Sequence, residues 1–118
     1  LVAEGNPSNY KLVEVLLRRD YDLVHAVNGA EAVELFRTQG ADLVLMDINM
    51  PVMDGYEAFR QIRELSPAVP VIALTAYAFE TDRRRMFDAG FDDCLAKPLR
   101  ADELRARVAA MLAAKEDI

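Results

Sequence analysis

The sequence has a single cysteine, no excess of positive charge and no long apolar run. Each of these absences excludes a class of protein. The single cysteine, Cys94, cannot form an internal disulfide, and no charged-then-apolar leader of the signal-peptide kind is present. No apolar stretch approaches the roughly 18 residues that a transmembrane helix needs. The net charge of -6 argues against nucleic acid as a direct partner. We therefore expect a cytoplasmic protein with no membrane segment.

The length of the chain is that of one domain. A chain of 118 residues can bury about two thirds of its unfolded surface without disulfides or structural metals. The first residue is Leu rather than Met, and residues 1–3 read as the end of a strand. We therefore expect a single domain over residues 1–118 that was excised from a longer polypeptide.

Strand-like and helix-like periodicities alternate five times along the sequence. The predicted strands cover residues 1–3, 23–27, 43–46, 71–74 and 94–96, and the predicted helices cover residues 8–19, 30–39, 56–65, 79–89 and 101–114. Each connection is long enough to contain a helix, so the strands should be parallel with helices on both faces. The pattern predicts a flavodoxin-like (βα)5 fold, in which a doubly wound five-stranded parallel sheet has the order 2-1-3-4-5.

The segment from Leu45 to Gly55 is the most informative part of the chain. Asp47 follows the apolar run 43–46, and Pro51 with Asp54-Gly55 supplies turn residues directly after it. The carboxylate therefore lies at the carboxyl end of a central strand, the edge where open α/β sheets bind ligands. Because burying an isolated carboxylate there is costly, a functional role is favoured over that of an exposed loop acid.

The predicted strand order brings further polar residues to the same edge. Strands 1 and 3 are adjacent, so Glu4 and Asp47 should meet at the switch point, and Thr75 and Lys97 end strands 4 and 5. Taken singly, these residues have ordinary interpretations as a loop acid, a strand cap and a surface lysine. His25 has no ligand-type neighbour at metal-binding spacing, which favours a packed histidine over a phosphorylated one.

Together, the four residues and the strings around them resemble the receiver (response-regulator) domain of two-component signalling. The resemblance covers nearly the whole chain and is strongest to receivers attached to hybrid histidine kinases. It includes the quartet Glu4, Asp47, Thr75 and Lys97, the segment Asn6-Pro7-Ser8-Asn9, and the segment from Asp92 to Pro98. By the same resemblance, the Lys97-Pro98 peptide bond is expected to be cis.

The resemblance implies a phospho-accepting role in a phosphorelay. Asp47 would take a phosphoryl group from a histidine of a histidine kinase or a histidine phosphotransfer domain, and Thr75 and Lys97 would bind the phosphoryl oxygens and switch partner binding. Mg²⁺ would be held by Glu4, Asp47 and the backbone carbonyl of Asn49. The domain would be no enzyme beyond assisting its own phosphorylation and dephosphorylation. A homodimer through the face of helix 4, strand 5 and helix 5 would also fit the family.

The chain departs from the family pattern at two positions. Receivers usually carry a second acid directly after the first, and here that residue is Gly5, which implies weaker Mg²⁺ binding. Cys94 stands where the family often has the aromatic residue that moves with Thr75. Tyr77 is the nearest aromatic residue that could replace it.

Two other functions stay open at this point. Gly5 and Cys94 favour a degenerate receiver that binds a partner constitutively. A small phosphatase of the haloacid dehalogenase type also uses a strand-end Asp, but it needs a second Asp two residues later, where this chain has Asn49.

Overall fold

A computed structural model describes residues 1–76 and 79–116. Within them the chain forms five strands that alternate with five helices, in the order β1 (Val2–Ala3), α1 (Pro7–Leu17), β2 (His25–Ala26), α2 (Gly29–Gln39), β3 (Val44–Asp47), α3 (Gly55–Leu65), β4 (Val71–Thr75), α4 (Glu80–Ala89), β5 (Asp93–Ala96) and α5 (Ala101–Glu116). The strands are parallel in the order β2-β1-β3-β4-β5. The predicted flavodoxin-like fold and strand order are confirmed.

The core has two halves, one on each face of the sheet. Alternate residues of a strand point to opposite faces, so Leu45 packs with α1 and α5, while Val44 and Met46 pack with α2, α3 and α4. Both faces of the central strands are therefore covered, which explains why β3 reads as a continuous apolar run. This arrangement leaves the carboxyl edge of the sheet as the place for polar residues.

Three of the helices are capped at their N-terminus by a side chain that accepts a hydrogen bond from a backbone N–H of the first turn. The Asn6 side chain accepts the backbone N–H groups of Ser8 and Asn9, with Pro7 in the first turn of α1. The side chains of Asn28 and Asp54 cap α2 and α3 in the same way. The segment Asn6-Pro7-Ser8-Asn9 thus has a structural role, because it directs α1 away from the end of β1.

Two local predictions were wrong in their extent. The second strand was predicted over residues 23–27 but covers His25–Ala26, because β1 offers it only two paired residues. The helical spacing of Leu12, Val13, Leu16 and Leu17 predicts one shared buried face, but Leu12 is 39% exposed, since the contact face of α1 is centred on Val13 and Leu17. The expected cis bond between Lys97 and Pro98 is confirmed. Among residues 1–76 and 79–116, no helix has the length and apolarity to cross a bilayer.

Candidate functional site

A cleft of about 470 Å³ opens at the carboxyl edge of the sheet. Its lining includes Glu4, Gly5, Asp47, Asn49 and Lys97. A larger concavity of about 790 Å³ lies at the amino edge, between the chain segments that lead into β1 and β3. We assign the site to the smaller cleft, because buried acids and a lysine converge there in a way that favours ligand chemistry.

Asp47 is the last residue of β3, and the fold holds both of its carboxylate oxygens. The residue is 5% exposed. Its Oδ2 accepts a hydrogen bond from Lys97 Nζ at 3.0 Å, and its Oδ1 accepts the backbone N–H of Asn49 at 3.0 Å. Helix α3 begins directly against it, since a Cβ at Gly55 would lie 2.4 Å from the Asp47 carbonyl oxygen. Glycine is therefore required at position 55 to leave room for the aspartate.

Glu4 follows β1 and is fully buried, at 0% exposed. Its Oε1 accepts the backbone N–H of Asn6 at 3.1 Å. Its Oε2 lies 2.8 Å from Lys97 Nζ, an ion pair whose angles fall outside those of a hydrogen bond. The interpretation of Glu4 as a solvated loop acid is therefore wrong, and the residue belongs to the cleft.

Lys97 supplies the positive charge that Glu4 and Asp47 share. Burial raises the pKa of Asp47, the Lys97 hydrogen bond opposes that rise, and the Glu4 charge adds to it. For Lys97, burial alone would lower the pKa, but its contacts with Glu4 and Asp47 outweigh this and the pKa is raised. The ammonium therefore stays charged between two carboxylates, an arrangement suited to neutralising further negative charge.

Thr75 is the last residue of β4, and Asn49 lies two residues beyond the end of β3. Thr75 ends β4, is 3% exposed and pairs with Ala96 of β5. Its carbonyl oxygen accepts the Lys97 backbone N–H at 2.7 Å, which ties the two residues together. Asn49 is exposed and lines the cleft two residues after Asp47. The structure thus brings all four members of the predicted quartet to one edge of the sheet.

Gly5 leaves the cleft with two carboxylates. A Cβ at this position would lie 3.0 Å from the Val27 carbonyl oxygen, so any side chain there requires a small shift of the loop after β2. Among the residues that the structure describes, no group of three or more His, Cys, Asp or Glu side chains could hold a metal ion. Mg²⁺ is commonly bound by one or two carboxylates with several waters, and Glu4 Oε2 is a buried oxygen without a hydrogen bond. The residues present therefore fit a Mg²⁺ ion, with fewer protein ligands than a three-acid site offers.

Cys94 lies on β5, 6% exposed, on the face that packs against α4. Burial raises the pKa of its thiol, and the nearby Arg83 guanidinium of α4 opposes the rise. Cys94 is thus a small buried side chain with an arginine beside it. Tyr77, the suggested substitute aromatic, lies outside the described residues.

Sequence reasoning missed two features next to the cleft. Val52 has φ of +70°, and Met53 N–H donates to the Pro51 carbonyl at 2.7 Å, which makes a strained γ-turn that leaves Val52 86% exposed. The rings of Tyr10 and His25 stack with centroids 3.6 Å apart. Neither feature has a local signal, because a β-branched residue normally avoids positive φ and the two rings are 15 positions apart.

Comparisons with known proteins agree with this geometry. Residues 1–109 match the sequence model of the response regulator receiver domain. The chain is 36% identical over 110 residues to the sensor histidine kinase RcsC of Salmonella typhi, an alignment that covers 92% of this chain and 12% of that protein. The chain thus corresponds to a small part of that relative.

Solved structures give the same result. The receiver domain of sensor histidine kinase PA1611 from Pseudomonas aeruginosa, which has a magnesium ion in its active site cleft, is 38% identical with a TM-score of 0.87, covering 95% of this chain and 94% of that one. The co-crystal structure of the Saccharomyces cerevisiae phosphotransfer protein Ypd1 with the Ssk1 receiver domain matches at 28% identity and a TM-score of 0.90, covering 97% and 88%. With its sheet order, its cleft residues and these matches, this chain belongs to the response regulator receiver domain family, and it is similar to the receivers of hybrid histidine kinases.

Proposed function

We propose that this receiver domain accepts a phosphoryl group on Asp47 from a phosphohistidine of a histidine kinase or a histidine phosphotransfer domain. The supporting observation is the contact of Lys97 Nζ with Asp47 Oδ2 at 3.0 Å and with Glu4 Oε2 at 2.8 Å, at the end of the central strand. A nucleophile, a cation and a second acid are thereby held in one narrow cleft. Activity would be limited to the domain's own phosphorylation and dephosphorylation.

The reaction transfers one phosphoryl group between two side chains. A carboxylate oxygen of Asp47 forms a bond to phosphorus, the N–P bond of the donor breaks, and its electron pair stays on the imidazole nitrogen. Such transfers depend mainly on positioning and charge neutralisation. Lys97 would pair with a phosphoryl oxygen, and the Thr75 hydroxyl would donate a hydrogen bond to another. Because Lys97 already contacts Asp47, it would neutralise the new charge without a large movement.

Mg²⁺ would be held by Glu4, Asp47 and the Asn49 backbone carbonyl, with waters in its other positions. When bound, the ion would neutralise phosphoryl oxygens in the cleft. Glu4 and Asp47 would then each interact with both the ion and the Lys97 ammonium. We expect binding weaker than in a three-acid cleft, since attraction for a divalent cation grows with each nearby carboxylate.

The assignment of Asp47 is tested by mass spectrometry after incubation with Mg²⁺ and acetyl phosphate. We expect the wild-type chain to gain the mass of one phosphoryl group and Asp47→Asn to gain none. Asp54→Asn is the matched control, because it removes an acid from the same loop while Asn still caps α3. An equal mass gain in Asp47→Asn would show that another residue is modified.

A degenerate receiver that binds its partner without phosphorylation is the second candidate. Gly5 and Cys94 favour it, because one removes a carboxylate from the cleft and the other replaces the usual switch aromatic. We expect Gly5→Asp to bind Mg²⁺ several-fold more tightly than wild type, with Gly5→Asn as the uncharged control that has the same contact with Val27. A wild-type chain that stays unphosphorylated at millimolar Mg²⁺, while Gly5→Asp is phosphorylated, would favour this candidate.

The phosphatase alternative has no support in the cleft. That chemistry needs a general acid two residues after the nucleophile, and the amide of Asn49 cannot serve as one. Membership of the receiver family therefore leaves the two signalling candidates.

Partners beyond the phosphodonor are also proposals. The face of α4, β5 and α5 exposes Phe87, which is 44% exposed, and a homodimer through this face would cover it. Sedimentation with and without acetyl phosphate tests this proposal, because a monomer under both conditions would contradict it. A cytoplasmic location and the absence of a nucleic-acid partner stay predictions from composition.

A further inference from the structure

The one histidine of the chain caps the backbone of Glu4. The His25 Nε2 atom lies 2.7 Å from the Glu4 carbonyl oxygen. A carbonyl oxygen only accepts hydrogen bonds, so Nε2 carries the proton and donates it. His25 is on β2 and Glu4 follows β1, so the contact extends the hydrogen bonding between these strands to the rim of the cleft.

Tyr10 holds the imidazole ring from the other side. The two ring planes are inclined by 7° with centroids 3.6 Å apart, which is a parallel stack. Tyr10 belongs to α1 and His25 to β2, and both side chains are half-buried. The stack therefore fixes the plane of the imidazole against a helix, and the direction of its N–H with it.

The capped carbonyl belongs to the peptide group that joins Glu4 to Gly5. A peptide group is planar, so holding its oxygen sets the orientation of the whole group. Glycine has the widest backbone freedom of any residue, so Gly5 itself does little to restrict that orientation. The Glu4 N–H donates to the Ala26 carbonyl at 3.0 Å, which holds only the preceding peptide group. The His25 hydrogen bond, by contrast, holds the oxygen of the peptide group that joins Glu4 to Gly5.

We propose that His25, oriented by Tyr10, is a positioning residue that keeps the Glu4 carboxylate aimed at Lys97 and at a cation in the cleft. It would compensate for the missing side chain at Gly5, where a second acid with its own contacts would otherwise restrict the loop. The part of the proposal that concerns Mg²⁺ rests on the proposed function. The part that concerns the Glu4 carboxylate does not.

Two variants of His25 separate the hydrogen bond from the ring. His25→Phe keeps an aromatic ring for Tyr10 but has no donor, whereas His25→Gln places an amide N–H near the position of Nε2. The first readout needs no metal: solvent exchange of the Asn6 amide, measured by NMR, reports whether Glu4 Oε1 still accepts that N–H. We expect the Asn6 amide to exchange about fivefold faster in His25→Phe than in wild type, because one hydrogen bond is lost. In His25→Gln we expect a rate near that of wild type.

The second readout is Mg²⁺ affinity, followed by NMR titration. Loss of a group that orients a metal ligand typically lowers affinity by tenfold or more, so we expect about a tenfold loss in His25→Phe and recovery of most of it in His25→Gln. Leu16→Ala is the control for general destabilisation, because it removes apolar packing from α1 while leaving the His25 hydrogen bond and both stacked rings in the sequence. We expect it to leave both readouts unchanged.

The outcomes separate this inference from the proposed function. Unchanged Asn6 exchange in His25→Phe would overturn the positioning role, whether or not Asp47 is phosphorylated. Equal changes in His25→Phe, His25→Gln and Leu16→Ala would also overturn it, since they would show a merely structural effect. If acetyl phosphate fails to modify wild type while His25→Phe speeds Asn6 exchange and His25→Gln does not, the positioning role stands and the phospho-accepting role fails.

Discussion

The cleft and helix α4 are held in the fold by different means. In the cleft, Glu4 and Asp47 are 0% and 5% exposed and share the Lys97 ammonium. In α4, every residue of which is described, Met86 is the one buried residue. The helix has an arginine contact in addition, since the Arg85 guanidinium lies 4.4 Å from the centroid of the Tyr56 ring on α3.

This difference suits a domain in which chemistry and response are separated. Phosphoryl transfer needs fixed groups, and the cleft has them because strand ends and buried ion pairs define its atoms. A responding surface needs an element that can move at low cost, and weakly buried elements are those that open most easily. We therefore expect α4 to change position more readily than the residues around Asp47, and four variants test this comparison.

The largest effect is expected for Lys97→Met, which leaves two buried carboxylates without a cation. Removing one partner of a buried ion pair typically destabilises a protein by about 3–5 kcal/mol, and we expect a loss near the lower figure at pH 7 in urea unfolding. The lysine hydrogen bond that opposes the rise in the pKa of Asp47 would also be lost. The loss of stability should therefore be smaller at low pH, where Asp47 is protonated, and should grow as the pH rises.

Lys11→Met is the control for Lys97→Met. Lys11 pairs with Glu14 on the surface, with 68% of its side chain exposed, so its removal should change stability by less than about 0.5 kcal/mol. Equal stability of Lys97→Met and wild type at pH 7 would mean that the lysine does not compensate the buried charges.

The next effect is expected for Met86→Ala, which removes the buried side chain of α4. Truncating a buried methionine costs about 2–5 kcal/mol, and we expect about 2 kcal/mol because α4 can detach locally without unfolding the sheet. Hydrogen exchange should then rise in α4 more than in β3. Met86→Leu, which conserves volume, should cost less than about 1.5 kcal/mol. Uniformly faster exchange in α4 and β3 would contradict the idea of a locally held helix.

A smaller effect, a gain in stability rather than a loss, is expected for Asp47→Asn. Burial raises the pKa of Asp47 in the folded state above its ordinary 3.8, so the folded chain binds this proton more tightly than the unfolded chain. Wild-type stability should therefore fall as the pH rises from 3.8 through the folded pKa, and Asn lacks this loss. We expect Asp47→Asn to be the more stable form at pH 7 in thermal unfolding. A lower stability of the variant that does not diminish on acidification would contradict this reasoning.

The smallest effect is expected for Arg85→Ala, which removes the cation–π contact with Tyr56. Such a contact at an exposed site contributes about 0.5–1 kcal/mol, and its loss should speed exchange of α4 amides. Arg84→Ala is the matched control one residue earlier, because Arg84 pairs with Glu80 at 71% and 86% exposure. If both variants behave alike, the contact with Tyr56 does not attach the helix.

Most of the fold and the centre of the cleft were predictable from the sequence. Periodicity and apolar runs located the strands and helices, and alternation of strand and helix gave the parallel sheet. The strand order then brought Glu4, Asp47, Thr75 and Lys97 to one edge, which the structure confirms as a location. Their roles in phosphoryl transfer stay predictions.

The contacts around these residues were not predictable in the same way. The burial of Glu4 depends on Lys97, which is 93 positions away, and on the backbone of Asn6. The stacking of Tyr10 on His25 depends on how α1 packs beside β2. Motif reasoning treated His25 as an ordinary packed residue, because a single histidine has no pattern that indicates its partner.

The sequence by itself determined the element order, the parallel sheet and the position of Asp47, because these follow from local periodicity and from the geometry of short crossovers. Only the tertiary structure decided that Lys97 joins Glu4 to Asp47, that Val27 crowds Gly5 and that His25 caps Glu4. The contacts of Lys97 and His25 join residues far apart in the chain at distances of 3.0 Å or less. Such distances are set by close packing of helices on the sheet, for which a local pattern of residues holds no information.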